Sequence, residues 1–186
     1  ARWVNEMSFF SGGERYAHGM SILRFTQEAK QALFTPEARL RVADDRSLDK
    51  ILRFFNADSA AHVVDRMLHT DLMTRIPDHL LALVDRMTMA HSLENRSPLI
   101  DYRVVEFAAR IPAELKLKGG QLKYLLKQVA ARYLPRELIE RPKQGFTFPL
   151  GLWMRGELAG FIRRLFQESR FAQQGLFDRS YMLRLL

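Results

Sequence analysis

Proline and glycine cut this chain into short pieces, and each well-patterned piece carries its apolar residues at helical spacing. That combination directs the chain towards a set of short helices. Ser47-Leu48-Asp49-Lys50 opens a run with Leu48, Ile51, Leu52 and Phe55 on one stripe, and Ser47 is the expected N-cap. Asp58-Ser59 opens a second run, striped by Val63, Val64, Met67 and Leu68 and continuing towards Ile76. Pro77 suits the first position of a third helix, where its missing N–H would have no partner anyway. That helix shows Leu80, Leu81, Val84, Met87 and Thr88 on one face and runs to about Ser92.

Further on, Asp101 is the expected N-cap of a helix over 102–110, which Pro112 ends. Gly119-Gly120 makes a turn. Residues 121–133 then carry Leu122, Leu125, Leu126, Val129 and Ala130 at helical spacing until Pro135. A short turn at 135–140 follows, 150–166 is helical again, and 179–186 starts a last helix. No alternating strand of five or more residues stands out. The β-branched stretch 103–107 sits between a cap and an alanine-rich end, so it reads as helix. Residues 1–46 form a weakly patterned helical and loop lead-in to a helical region at 47–186. The expected fold class is all-α, in one domain.

Twenty-nine basic residues against 21 acidic ones give a net charge of +8. Those cations are spread along the chain, with denser sets at 132–143 and 155–170, and no zinc-finger, basic-zipper or RNP-like pattern accompanies them. Nucleic acid is therefore not the expected partner, although a helical interaction or nucleic-acid-binding module is the alternative class. No apolar run approaches the roughly 20 residues of a membrane helix. The first residues lack a basic start and an apolar core, so no signal peptide is expected. Cysteine is absent, which fits a cytoplasmic protein and rules out disulfides and thiolate metal ligands. Histidines 18, 62, 69, 79 and 91 are scattered, and no metal site is expected. The chain starts at an alanine and stops within an amphipathic pattern at Arg184-Leu185-Leu186, so a piece of a longer protein is expected. An apolar face left by such a cut would favour self-association, which keeps a homodimer among the expected states.

Residues 141–149 read RPKQGFTFP. Pro142 fixes its own φ and pushes Arg141 into extended geometry, Gly145 permits a sharp turn, and Pro149 closes the segment. Lys143 is thus held on a short, stiff loop, as suits a cation that must meet a phosphate or a developing anion. Three other segments stand out: Val84-Asp85-Arg86-Met87-Thr88-Met89-Ala90, Ser92-Leu93-Glu94-Asn95-Arg96-Ser97-Pro98-Leu99-Ile100-Asp101, and Lys118-Gly119-Gly120-Gln121-Leu122-Lys123-Tyr124-Leu125-Leu126. Glu94 and Arg96 fall on the same side of an extended chain and read as a buried ion-pair clasp at a helix–loop–helix corner. Asp85 and Arg86 read as helix-surface or interhelix pairs, and Met87, Met89, Trp153 and Phe146 as core or loop anchors. Ser11-Gly12-Gly13-Glu14 reads as a turn between two helices; it has half the look of a phosphate loop, but no strand precedes it.

In this order and spacing the segments resemble the C-terminal synthetase domain of glutamine-dependent asparagine synthetases. The family pattern runs roughly D-R-x-[ST]-M-A-x-S-L-E-x-R-x-P-[FL]-[LI]-D, then K-x-G-x-x-K-x-x-L, a leucine-proline, and R-x-K-x-G-F-x-x-P. The likeness covers about residues 71–156 and departs only mildly, at Thr88 for the commoner serine and at Leu99-Ile100. It implies the helical C-terminal part of an adenine-nucleotide α-hydrolase-like (ATP pyrophosphatase) domain, with the parallel sheet upstream. It also implies ATP with magnesium, adenylation of the aspartate side chain, and attack by ammonia made from glutamine in a separate domain. Lys143 matches the family's catalytic lysine. Arg141 and Lys123 would meet phosphate, while Glu94, Arg96 and Asp101 would order the loop beside the site. The family's S-G-G-x-D-S phosphate loop, its G-x-G-x-D-E signature and its N-terminal cysteine are not found in these 186 residues. The chain by itself is therefore expected to be inert, with upstream ATP-binding and glutaminase domains as its partners. Relatives on the same scaffold that close β-lactam rings, cyclise lasso peptides or amidate other carboxylates remain alternatives.

Overall fold

The computed structural model describes residues 8–20, 27–42, 48–57, 62–145, 148–168 and 170–185. Ser47, Asp58, Ser59 and Phe146 lie outside them. The described chain is helical apart from one two-stranded hairpin and an isolated bridge, in line with the all-α expectation. None of its helices is long and apolar enough to cross a membrane. The chain divides into two units, each assembled from two stretches of sequence.

The first unit draws on Ala1–Ala17 and Leu48–Lys143. Its centre lies where α1 (Gly12–Met20), α4 (Asp49–Phe55) and α5 (Val63–Met73) meet. Phe55 is buried and stacks on Tyr16, with ring centroids 5.4 Å apart. Gly13 makes this approach feasible: a Cβ there would stand 2.9 Å from Phe55 Cδ1. The Gly12-Gly13 pair therefore opens a helix and serves its packing, rather than turning between helices. Tyr16 donates from its hydroxyl to Asp71 Oδ1 at 2.7 Å. Burial, and then the Asp71 carboxylate, push the Tyr16 hydroxyl well above its ordinary pKa, so it stays a proton donor at any physiological pH.

Helix α5 starts at His62, whose Nδ1 accepts from Val64 N–H at 3.2 Å. After Thr74 the chain enters a π-helix, Ile76–Leu81, that runs directly into α6 (Ala82–Met89). Pro77 is the cause: it has no N–H to continue an α-ladder back to residue 73. An ion pair between Lys50 and Asp78 ties this joint to α4. The sequence expectation of a helix starting at Pro77 is thus met in outline, but the first turn is π and the α-helix stops at Met89.

A 3₁₀ turn at Pro98–Ile100 leads to α7 (Tyr102–Arg110), and α8 (Ala113–Lys116) follows. Lys116 reaches back to α5, where Nζ lies 2.6 Å from Asp65 Oδ1 and also donates to the Ala109 carbonyl. Both side chains of this pair are largely shielded, 16% and 27% exposed. Strands β1 (Leu117–Lys118) and β2 (Gln121–Leu122) pair antiparallel, with Leu117 opposite Leu122. Helices α9 (Tyr124–Ala130) and α10 (Arg136–Glu140) complete the unit. Residues 121 and 122, expected to be helical, are strand. The glycine pair at 119–120 dictates this by closing a two-residue hairpin.

The second unit draws on His18–Ser47 and Gln144–Leu186. Here α2 (Gln27–Leu33) meets α14 (Arg179–Arg184), and α3 (Pro36–Arg41) follows α2. Phe34 stacks on Phe177 at 5.3 Å, and Thr35 N–H donates to the Leu176 carbonyl at 3.0 Å. Asp178 caps α14 through Tyr181 N–H. Ala38 and Met182 are buried. The helix expected over 150–166 is two helices, α11 (Leu150–Arg155) and α12 (Ala159–Glu168), because the chain turns at Gly156. The short α13 (Arg170–Gln173) follows α12.

Phe55→Ala removes the ring at the centre of the first unit and should cost about 3–5 kcal/mol. Asp65→Ala strands the shielded Lys116 ammonium and should cost about 1–3 kcal/mol. Urea denaturation measures both; losses under half a kilocalorie would mean that these contacts do not hold the unit.

Candidate functional site

The loop that follows α6 owes its course to a left-handed residue. Ser92 has φ 57°. Leu93 N–H donates to the Thr88 carbonyl and Ser92 N–H to the Met89 carbonyl, both at 3.0 Å, which is the Schellman closure of a helix. Glycine usually fills that position, because any side chain there costs about 1 kcal/mol. The chain then runs extended through Leu93–Ser97 and folds beside the start of α6. A pocket of about 360 Å³ opens there, lined by Leu81, Ala82, Val84, Asp85, Asn95 and Ser97.

Within this loop Arg96 Nη2 pairs with Glu94 Oε1 at 2.5 Å. The side-by-side arrangement matches the alternation in the sequence. The pair is not buried, however: the side chains are 86% and 67% exposed. The clasp is a surface strut on either side of Asn95, because no described element covers the loop. Asp101 does not join it. Its Oδ1 accepts from Arg103 N–H at 3.0 Å, capping α7, and both carboxylate oxygens take Arg103 guanidinium hydrogens at 2.9 and 3.0 Å. The Arg103 side chain, then the Arg103 N–H, hold the Asp101 carboxyl below the usual carboxylate range and raise Arg103 in return.

Sequence reasoning passed over Asp85, Asn95 and Ser97 as site residues. Asp85 looked like a helix-surface charge, and only the return of the loop puts it in a pocket. Met87 and Met89, read as core or loop anchors, are 58% and 54% exposed and so not core.

Three basic candidates lie next to the hairpin and on the loop that follows α10. Gly119 and Gly120 have φ 55° and 78°, so the turn is of the type I′ kind. A Cβ at either would meet nothing within 4 Å, so it is the backbone twist and not space that selects glycine. Lys123 then takes φ 57°, ψ 36° as the N-cap of α9. Arg141 follows α10 in extended geometry, as the proline after it requires, and Arg141, Lys143, Gln144 and Gly145 are all exposed. Among the described residues, no side chain forms a hydrogen bond or ion pair with Lys123, Arg141 or Lys143, whereas Lys50, Arg96, Arg103, Lys116 and Arg136 are paired. Nor do three His, Asp or Glu side chains gather there into a metal-sized group.

Comparison with known proteins gives a consistent picture. The family model described as asparagine synthase matches residues 8–186. The asparagine synthetase [glutamine-hydrolyzing] 1 of Bacillus subtilis is 35% identical over 133 residues, covering 72% of this chain and 21% of that protein. Asparagine synthetase [glutamine-hydrolyzing] of Gallus gallus is 44% identical over 66 residues, 34% of this chain and 12% of that protein. The Rattus norvegicus enzyme of the same name is 38% identical over the same length and shares. The matched stretch thus spans about a fifth or less of the length of these curated relatives. No solved structure matches it significantly.

Ser92→Gly should raise stability by about 1 kcal/mol, read as a higher Tm; a fall would show that the serine makes a contact the backbone does not reveal. At Asp101, asparagine keeps an oxygen for the cap and loses the ion pair, whereas alanine loses both. Asp101→Ala should therefore melt lower than Asp101→Asn. A depressed carboxyl contributes stability above its unfolded pKa, near 4, and loses it as pH falls through the lower folded value. The advantage of the native residue over asparagine should accordingly vanish in acid; an advantage that grew in acid would contradict the pairing with Arg103.

Proposed function

The chain belongs to the asparagine synthase family, and from that premise we propose that it supplies part of the synthetase site of an ATP-dependent amidotransferase. In the proposed reaction the side-chain carboxylate of aspartate attacks the α-phosphate of ATP. An acyl adenylate forms and pyrophosphate leaves. Ammonia from glutamine, released in a separate domain, then attacks the acyl carbon and expels AMP, leaving asparagine.

The observation that carries this reading is the unpaired Lys143 ammonium on a loop stiffened by Pro142. Negative charge grows on the α-phosphate oxygens as the carboxylate attacks. A cation fixed beforehand stabilises that charge without having to reorganise. The same ammonium then stabilises the tetrahedral oxyanion raised by ammonia. Arg141 supports Lys143 or meets a phosphate oxygen, and Lys123 faces the departing pyrophosphate. Glu94 and Arg96 brace the loop that walls the pocket, while Asp101 anchors the helix after it. The upstream ATP-binding and glutaminase parts of the longer protein complete the site. ATP brings magnesium with it, which neutralises phosphate charge when bound. The isolated 186 residues, carrying no phosphate-cradling glycine loop, release no pyrophosphate by themselves.

The test uses the full-length protein: ATP- and aspartate-dependent pyrophosphate release, with and without Lys143→Ala. Loss of about a hundredfold or more in kcat/KM supports the assignment. Unchanged release would make the stiff loop architecture. Release with another carboxylate but none with aspartate would keep the chemistry and move the acceptor.

A further inference from the structure

Lys123 breaks two local rules at once. A lysine in the left-handed region is strained, and an ammonium at a helix N-terminus faces the positive end of the helix dipole. Asparagine, aspartate or glycine would relieve both. Strain of this kind persists only where its surroundings enforce it. The enforcing contacts are visible. The type I′ turn returns β2 alongside β1, yet each strand is only two residues long, too short to hold itself. A second tie closes the gap: Lys118 Nζ lies 4.8 Å from the centroid of the Tyr124 ring. Lys118 ends β1 and Tyr124 begins α9, so this cation–π contact spans the residue between β2 and the helix, which is Lys123. The Lys123 carbonyl is fixed as well, accepting from Lys127 N–H at 2.9 Å.

We propose that Lys118 and Tyr124 are positioning residues for Lys123, locking the hairpin to the helix so that the Lys123 ammonium is presented to the pyrophosphate group. The two lysines of the hairpin thus divide the work: Lys118 is spent on the ring and Lys123 stays available to the anion. The proposal rests on the reading of Lys123 given above.

A double-mutant cycle in the full-length protein tests it, read as kcat/KM for ATP and as product inhibition by inorganic pyrophosphate. Lys123→Ala should weaken pyrophosphate inhibition by about a hundredfold. Tyr124→Leu and Lys118→Ala should each weaken it by about threefold, while Tyr124→Phe, which keeps the ring, restores the native value. In the Lys123→Ala background Tyr124→Leu should have no further effect, because nothing remains to be positioned. An equal loss in both backgrounds, or a loss with Tyr124→Phe matching that with leucine, overturns the positioning role. If Lys123→Ala leaves inhibition intact, the reading of Lys123 itself fails, and the positioning role with it. The Lys143→Ala assay shows separately whether the adenylation reading survives. Lys123→Gly adds a readout free of any folding defect: it should melt higher than the native protein yet lose pyrophosphate inhibition. A variant that melts higher and keeps its inhibition would show that the strained residue serves no ligand.

Discussion

The pocket wall and the hairpin of the first unit hang on contacts made to one helix, Val63–Met73. At one end Asp71 takes the Tyr16 hydroxyl, which joins the helix to the Phe55 stack. At the other, Asp65 takes the Lys116 ammonium, which brings α8 and the hairpin after it into place. Beyond Thr74 the same rod continues through the π-turn into α6, with Lys50 holding Asp78 at the joint. The pocket wall and the hairpin are therefore two branches of a single support. Each is attached by an ion pair, shielded at Lys116–Asp65 and exposed at Lys50–Asp78.

Beyond these anchors the candidate residues are placed by backbone conformation more than by side-chain packing. Ser92 ends α6 in the left-handed region and sends the chain along the pocket. Gly119, Gly120 and Lys123 do the same for the hairpin, and Pro142 for the loop of Lys143. Backbone constraints of this sort cost little area and no partner residues. That suits a region where apolar side chains such as Phe107, at 68% exposure, are not covered by any described element. The cations proposed to meet phosphate can then stay unpaired without collapsing onto nearby carboxylates.

The cap and the stop of α7 were legible in the sequence, because they depend on neighbours a few residues away; the start of α4 follows Leu48 with no side-chain cap rather than Ser47, and α5 starts at His62 rather than at Asp58-Ser59. Asp101 caps α7 and the chain leaves that helix just before Pro112, as read. The helix near Pro77 was legible in position, but its π-turn was not, since a missing donor permits several repairs and only the fold selects one. The hairpin was hidden because Leu122 continues the apolar stripe of Leu125, Leu126 and Val129 across a strand–helix boundary. The pair Glu94–Arg96 was legible, its exposure was not: burial is a property of what covers a loop. Asp85 shows the same limit, for its place in a pocket depends on a loop that returns ten residues later. The extended geometry of Arg141 could be read directly from Pro142.

The role proposed for the Lys143 ammonium requires that the acceptor carboxylate be activated at the α-phosphate of ATP. The most direct measurement supplies the full-length protein with ATP, glutamine and aspartate carrying heavy oxygen in its side-chain carboxylate, and follows the label by mass spectrometry. Attack on the α-phosphate followed by ammonia displacement leaves one labelled oxygen in AMP and one in the asparagine amide. Label found in AMP is the predicted result. Asparagine formed with unlabelled AMP, or label passed to inorganic phosphate with ADP as the other product, would contradict the adenylation chemistry assigned to the Lys143 loop.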